Sequence, residues 1–447
     1  MCMKTDNAAA PNGYPHPAVA WFTVAILFIA YVSSFIDRFI MTLLIEPIKA
    51  DLSLNDTQVS LLHGFAFAIF YTVVGLPIGR MVDIYSRTRV AAIGVAVWSM
   101  MTMACGLANS YWHLFLARVG VGVGEASLSP AAYSIIADTF PRERLGVAMG
   151  VYNFATSVGG GLAFMVGGIV VMMMINAGGL DLPLVGHLKP WQAVFFVVGA
   201  PGLVIAAMVG LLKEPKRRAR SADGSAEQVP VKAVVEFLKA HRTPIIYHHL
   251  GVALTNLGLF GIVTWFAPLM IRVHGWQISD IGLLAGGALM VGGFAGLVGG
   301  GWLGDRASLR DPAGGKLRVC MVMVLAAIPF AIIFPLTDNV TLAAVCWAIA
   351  YGCGVAPIGN GSAVLQQLVP GPMRGLASAF YLFVINIIGT GFGATVVALV
   401  TDGFFPESDG VRYSLAIVTP IIYLLAALCF WRAIGHFRSH LKTIEQA

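Results

Sequence analysis

Four ionisable side chains lie where a folded chain rarely keeps them. Asp37 and Arg38 sit late in one long apolar run, and Arg118 and Glu125 sit in another. A charge at the centre of a bilayer costs at least ~3 kcal/mol on insertion scales, so it faces a wet cavity or a partner. Of the chain's 22 acids only Asp37 and Glu125 fall well inside apolar runs, Asp280 standing at the external end of one. Carboxyls beside guanidiniums in a low dielectric suit binding and releasing a proton, or exchanging one ionic partner for another. Each could instead clamp its two helices together, a reading that weighs most for Arg118.

Depth along the helix sorts the four. At ~1.5 Å per residue, Asp37 and Arg118 lie at a similar height, about 27 Å from the cytoplasmic ends of their runs. Glu125 lies nearer mid-membrane, at about 17 Å. Asp37 is thereby expected to meet Arg118, leaving Arg38 and Glu125 for working roles. Adjacent residues point ~100° apart around a helix, so Asp37 and Arg38 cannot share one partner. Gly120, Gly122 and Gly124 precede Glu125 and are expected to thin the helix beside its carboxyl; the Gly120/Gly124 spacing also suits close helix packing.

The elements that hold these residues are membrane helices. The 447 residues are 58% hydrophobic and 11% charged, with mean hydropathy +0.81; a soluble domain carries about a quarter charged residues. Runs of spanning length fall near 19–43, 57–81, 90–108, 112–136, 145–175 and 191–212. Six more fall near 244–271, 279–303, 317–337, 341–368, 375–401 and 413–434. No alternating ten-residue barrel pattern competes with them. The polar residues 1–18 carry one cation, Lys4, and no cleavage-like site follows the first apolar run, which predicts a retained first helix. A cytoplasmic linker over 213–243, containing Lys216, Arg217, Arg218 and Arg220, separates bundles at 19–212 and 244–434; a tail over 435–447 follows.

With the N-terminus inside, the external loops hold only Lys49, Lys189, Arg272 and Arg412 of the chain's 28 cations. That bias places both termini in the cytoplasm. It also explains the net charge of +6 as topology, so nucleic acid is not an expected partner. The six cysteines form no metal-like spacing, and Cys346 and Cys353 lie about 10 Å apart by helical rise, too far to bridge. A weak repeat divides the chain likewise: Gly79 to Asp83 echoes Gly301 to Asp305, and Pro141, Gly146, Ala148 and Tyr152 echo Pro370, Gly375, Ala377 and Tyr381.

The segment Gly79 to Arg89, with Asp83, Arg87 and Arg89, resembles the loop signature of the major facilitator superfamily, with Ser86 where that family usually has Gly. Its second copy keeps Gly301, Asp305 and Arg306 without the following basic pattern. Asp37-Arg38-Phe39 and Gly122-Val123-Gly124-Glu125-Ala126-Ser127, followed by Asp138 and Pro141, look more like the Spinster branch, the sphingolipid-transporter-like members. The resemblance implies twelve helices in two pseudo-symmetric six-helix bundles, alternating access, and a latch between halves at Asp83, Arg87, Arg89, Asp305 and Arg306. It also implies proton-coupled movement of an amphiphile, with the ionisable residues of helices 1 and 4 in charge of coupling. Their clustering points to Asp37 and Glu125 as proton sites and to Arg38 on the headgroup or in coupling, and the short loops suit a bacterial inner membrane.

In the second half, Asn256, Trp265, Tyr351, Asn360, Gln366 and Asn386 are polar candidates for the cavity wall, with Tyr152 and Asn153 in the first. For each, an interhelical hydrogen bond is an equal alternative. His248 and His249 are expected at the lipid interface. No cofactor is implied beyond the proton, and the chain is expected to work as a monomer. Gly389 to Gly393 lies in a spanning run without a preceding strand, so it is not read as a dinucleotide loop. The absence of a Walker lysine motif excludes a self-contained ATP pump. The intramembrane His, Asp and Glu are too sparse for an enzyme site. Symport of small organic anions and multidrug-type export are the alternative transport readings.

Overall fold

The computed structural model describes residues 14–183, 185–217, 230–370 and 373–445. Eleven helices among them are long and apolar enough to cross a membrane. The first six crossings are span 1 (Pro17–Leu43), span 2 (Asp56–Ile84), span 3 (Arg87–Cys105), span 4, span 5 (Arg142–Asn176) and span 6 (Pro190–Gly210). Spans 7 to 12 are Arg242–His274, Ile278–Arg310, Gly315–Leu336, Val340–Leu368, 374–404 and Val411–Glu445.

Span 4 is broken, against the expectation of one helix over 112–136. It consists of Tyr111–Glu125 and Leu128–Thr139. Pro130 lies four residues after Ala126, so its ring crowds the Ala126 carbonyl and it offers no N–H to bond it. Ser127 N–H turns to the Gly124 carbonyl at 3.3 Å instead, and the break falls immediately after Glu125. Two further departures are smaller. Strands β1 (Leu180–Leu182) and β2 (Gly186–Leu188) form an antiparallel hairpin between spans 5 and 6. The tail expected over 435–447 continues span 12 as helix to Glu445.

The two halves repeat one packing scheme. Span 3 lies on spans 4 and 6 as span 9 lies on spans 10 and 12; span 1 packs on span 5 as span 7 packs on span 11. A short helix, Val231–Ala240, precedes span 7; most of the basic run before it, Arg218 to Arg220, lies outside the described residues. Span 7 is the most enclosed crossing at 83% buried, whereas spans 8 and 9 bury 33%. Side chains such as Leu116 and Val291 stand exposed on the outer surface, as lipid-facing positions do.

Glycines bring the halves together. At Gly282 of span 8 a Cβ would stand 2.4 Å from the Phe164 carbonyl of span 5, and Gly161 of span 5 faces Gly286 of span 8. Spans 2 and 11 meet at Gly64, where a Cβ would come within 2.7 Å of the Gly391 carbonyl. Both helices widen into a π-turn at this contact, Leu61–Phe65 and Asn386–Gly391. The glycine cluster 389–393 is therefore a packing element.

Candidate functional site: a caged arginine and a closed far face

Arg38 Nη2 donates to Glu125 Oε2 at 2.6 Å, and the same oxygen accepts from Ser34 Oγ at 2.6 Å. Ser34 and Arg38 are one helical turn apart on span 1, so they reach one acceptor on span 4. The pair is unequal in exposure: Arg38 keeps 14% of its side chain accessible and Glu125 only 1%. Glu125 Oε1 and Arg38 Nε have no partner. The guanidinium lies over three rings, 4.9 Å from Phe35, 4.4 Å from Phe67 and 5.5 Å from Tyr71. A cation over aromatic faces gains about 0.5–2 kcal/mol per contact, most when desolvated. Tyr31 extends the cage, edge-on to Phe35 and stacked on Tyr152 at 4.7 Å.

Asp37 and Arg118 come together differently from the expectation. Arg118 Nη1 reaches the Asp37 main-chain carbonyl at 3.4 Å, and its Nε reaches the Leu62 carbonyl at 3.5 Å. The fully buried Asp37 carboxyl has no hydrogen-bond partner on either oxygen among the described residues, and Arg118 acts on it only through its charge. The reason is rotational: Arg38 takes the face toward the cavity, which turns Asp37 into the bundle between spans 1, 3 and 4. Arg118 also lies 5.7 Å from the Phe67 ring, so one aromatic side chain serves both arginines. The glycines before Glu125 do not open space around its carboxyl. Gly122 admits the Phe67 carbonyl of span 2, and Gly124 admits the Trp98 backbone of span 3.

The remaining candidates divide by burial. Asn256 bonds Thr390 Oγ1 and the Ile385 carbonyl, Trp265 bonds the Ala394 carbonyl, and Asn360 bonds the Gly300 carbonyl at 2.9 Å. These three tie helices of the second half together and are buried, as is Tyr152 under Tyr31. Asn153 accepts from Tyr133 at 2.8 Å, and Gln366 donates to Ser378, both in exposed positions. Tyr351 and Asn386 are half-buried, and Tyr351 lies against Gly292 and Gly293. His248 and His249 are not at a lipid surface: they are 1% and 3% exposed, bonded Nδ1 to Nδ1, with His248 Nε2 on the Gly361 carbonyl.

Among the described residues the expected latch does not join the halves in this conformation. Arg87 is buried, bonds Asp138 of span 4 through Nη1 and Glu214 through Nε at 2.7 Å, and so works within the first half. Arg217 caps the end of span 2, donating to the carbonyls of Val82, Asp83 and Tyr85. The Asp83 and Arg89 side chains are exposed. Asp305 pairs with Lys316, and Arg306 lies over Trp302.

The halves are instead bridged on the face opposite the termini. Arg272 of span 7 donates to Asp56 at 2.7 Å through both Nη atoms, and to Glu46 at 2.9 and 2.7 Å. Asp402 of span 11 accepts from Thr57 N–H and Oγ1 of span 2 at 2.8 and 2.6 Å. Phe65 meets Phe392 edge-on below them. All four cations expected on this face have acidic partners: Lys49 on Asp56, Lys189 on Asp51, Arg272 as above, and Arg412 on Asp338. On the termini side, Tyr133, Asn153, Ser362, Gln366 and Phe380 are exposed. The molecule is closed on the far face, and these side chains are open on the termini side.

Sequence reasoning did not find this far-face lock, the aromatic cage, Ser34 or Glu214. Two of those left a signal: Ser34/Arg38 and Phe67/Tyr71 are both four-residue pairs, one turn apart on a helix.

Two halves of six crossings repeat one packing scheme and are bridged on one face. The pattern of the Major Facilitator Superfamily matches residues 27–394. The chain belongs to that superfamily. Its members are transporters rather than enzymes, and this one is an integral, multi-pass membrane protein. It is similar to a solved bacterial homologue of the human lysosomal transporter Spinster in an inward-facing, unoccupied conformation. The two share 27% identity and a TM-score of 0.83 over 95% of this chain and 99% of that one. It is also 27% identical to an MFS-type efflux pump of Mycolicibacterium smegmatis over 96% of both chains. A probable galactarate/D-glucarate transporter of Bacillus subtilis is 24% identical over 99% of this chain and 98% of its own.

Proposed function

We propose that the chain is a proton-coupled secondary transporter that moves an amphiphile with an anionic headgroup, of the sphingolipid or lysolipid type. The observation that carries this reading is the Arg38–Glu125 pair: its cation is the accessible end, and its carboxylate is buried behind it. An anionic headgroup entering from the open side meets Arg38 first. As Arg38 turns to the headgroup, Glu125 keeps only the Ser34 hydroxyl, and a buried carboxylate stripped of its counter-ion takes up a proton to shed the desolvation cost. Asp37, with no hydrogen-bond partner on its carboxyl among the described residues, is the second proton site. The rings of Phe35, Phe67 and Tyr71 on one side, and Phe260 facing Phe39 on the other, give the apolar part of the ligand a surface.

In this reading the termini face is cytoplasmic, the membrane is a bacterial inner membrane, and the monomer is the working unit. The test is transport in proteoliposomes under an imposed pH gradient, with lysophosphatidic acid as the probe. Glu125→Gln and Asp37→Asn should bind the probe but lose acceleration by the gradient. Gradient-driven transport unchanged in Glu125→Gln sinks the scheme.

A second reading, proton-coupled symport of small organic anions, is favoured by the sugar-acid transporter among the relatives. The exposed pairs Tyr133–Asn153 and Gln366–Ser378 offer hydroxyl and amide groups to a sugar acid. Displacement of bound lysophosphatidic acid by millimolar glucarate would favour it over the lipid reading. Extrusion of lipophilic cations by the reconstituted protein would favour multidrug-type export.

A further inference from the structure

Span 2 carries a buried imidazole that the scheme above does not use. His63 is 4% exposed, and its Nδ1 has no partner. It sits in the π-turn Leu61–Phe65, where the Ala66 N–H bonds back five residues to the Leu61 carbonyl. A π-turn widens the helix by one residue and relieves a carbonyl of its ordinary partner. Here the Leu62 carbonyl accepts from Arg118 Nε at 3.5 Å. The next residues face the other half: Gly64 touches the Gly391 and Thr390 backbone, and Phe65 meets Phe392. One turn of helix thus has the buried charges on one side and the contact between halves on the other.

We propose that His63 is a positioning residue for proton coupling, and that its π-turn transmits the state of the Arg38–Glu125 pair to the span 2–span 11 contact. The inference rests on the proton-coupled reading. Two unpartnered atoms define the switch: Arg118 Nη2, a donor, and His63 Nδ1, an acceptor when the ring proton is on Nε2. When Glu125 loses its charge, Arg118 is drawn from the Leu62 carbonyl toward His63 Nδ1. The freed carbonyl returns to the helix ladder, the π-turn closes to α-helix, and Gly64 moves off Gly391.

The elements packed on the turn are spans 1, 4 and 11 and the start of span 2. Their charged or titratable groups include Asp37, Arg38 and Tyr31 on span 1 and Arg118, Glu125 and, toward the far face, His113 and Tyr111 on span 4, with Asp138 and Tyr133 farther along that span; Tyr71 of span 2 stands by Arg38 and Glu125. Span 11 offers Asp402, bound to Thr57, and the start of span 2 offers Asp56, bound to Lys49 and Arg272. Cys105 of span 3 lies beyond Arg118 in the same core.

The test is a far-face distance between spin labels at Ser53 and Ser408, with native cysteines replaced, in nanodiscs at pH 5.5 and pH 8. Lysophosphatidic acid is present at both pH values, because the headgroup must take Arg38 before Glu125 takes up the proton. The wild type should widen at the lower pH. His63→Leu should abolish at least four-fifths of that change, whereas His63→Asn, which keeps a polar atom near the Nδ1 position, should retain most of it. A full response in His63→Leu overturns the inference and leaves the proton-coupled reading intact. A wild type without any pH response overturns that reading and this inference with it. Should His63→Leu fail to fold, His63→Gln replaces it: its amide reaches the Nε2 position rather than Nδ1, so a response equal to that of His63→Asn overturns the inference.

Discussion

Arg272 and Asp56 join the two halves of the molecule through two 2.7 Å hydrogen bonds, one from each terminal nitrogen of the guanidinium. The side chains are 9% and 3% exposed, and Glu46 and Lys49 complete the cluster. Parallel donors from one planar fork are the strongest ion-pair geometry available to a protein. The pair crosses between halves, so it stabilises only conformations in which the far face is closed.

Asp56→Asn should therefore shift the conformational balance without unfolding the protein. Breaking a buried pair costs 3–5 kcal/mol, and the polar cleft beside this one, lined by Glu46, Lys49, Asp402 and Glu407, reduces that to about 2 kcal/mol, roughly a thirty-fold change in population. Labelling of a far-face cysteine by a membrane-impermeant maleimide should accelerate accordingly. An unchanged labelling rate would mean that the remaining contacts, Arg272–Glu46, Thr57–Asp402 and the glycine approach, hold the face shut without this pair.

Arg38→Lys separates charge from shape. Lysine keeps the cation but loses the planar group that lies over Phe67 at 4.4 Å while bonding Glu125. Binding of lysophosphatidic acid should weaken by about 1–2 kcal/mol, on the order of ten-fold, as titration calorimetry would show. Equal affinity in the two proteins would rule out a cage contribution.

Glu214 predicts a pH-dependent stability. Burial works against its charge, but the Thr88 N–H, Arg87 and Ser86 outweigh it and hold the carboxyl below the usual glutamate range. The depressed value belongs to the folded state, so the stabilisation is fully present above the ordinary value of 4.5 and is lost as pH falls through the lower folded value. Glu214→Gln should lower stability at pH 7 by about 1 kcal/mol, a figure reduced because the group is partly exposed. Its melting temperature should converge on that of the wild type as the pH drops below 4.5. A difference that persists at lower pH would assign the loss to packing.

Gly64→Ala tests the approach of spans 2 and 11. The added methyl would stand 2.7 Å from one carbonyl and 2.9 Å from the next, both main-chain atoms that cannot swing away. The far-face contact should loosen, seen as slower cross-linking between cysteines at Ser60 and Thr395, whose hydroxyls now bond at 3.2 Å. Cross-linking at the wild-type rate would show that the interface absorbs the methyl.

The crossings, the repeat and the sidedness of the cations are local or one-dimensional properties, and the chain states them directly. An apolar run long enough to span a bilayer must be a helix there, because no other fold of a single segment satisfies its own backbone. Even the break in span 4 was written in Pro130, where the missing N–H acts four residues back. The four intramembrane charges were likewise evident, since their cost in an apolar run is independent of the partner they find.

Pairing was not evident, because it depends on rotation about each helix axis and on which helices become neighbours. Residue depth put Asp37 beside Arg118, but only packing decided that Arg118 takes the Asp37 carbonyl and leaves the carboxyl without a hydrogen bond. His248 and His249 looked interfacial by position along span 7, yet that span is the most enclosed of all. The lock at Arg272 joins residues more than two hundred positions apart, so nothing in either segment marks the other. The sequence alone determined that this is a two-part helical membrane protein with its deep intramembrane charges in the first part. The tertiary structure decided which charge faces the cavity, which is buried without a hydrogen bond, and which face of the molecule is shut, because those depend on distances between helices that no single helix encodes.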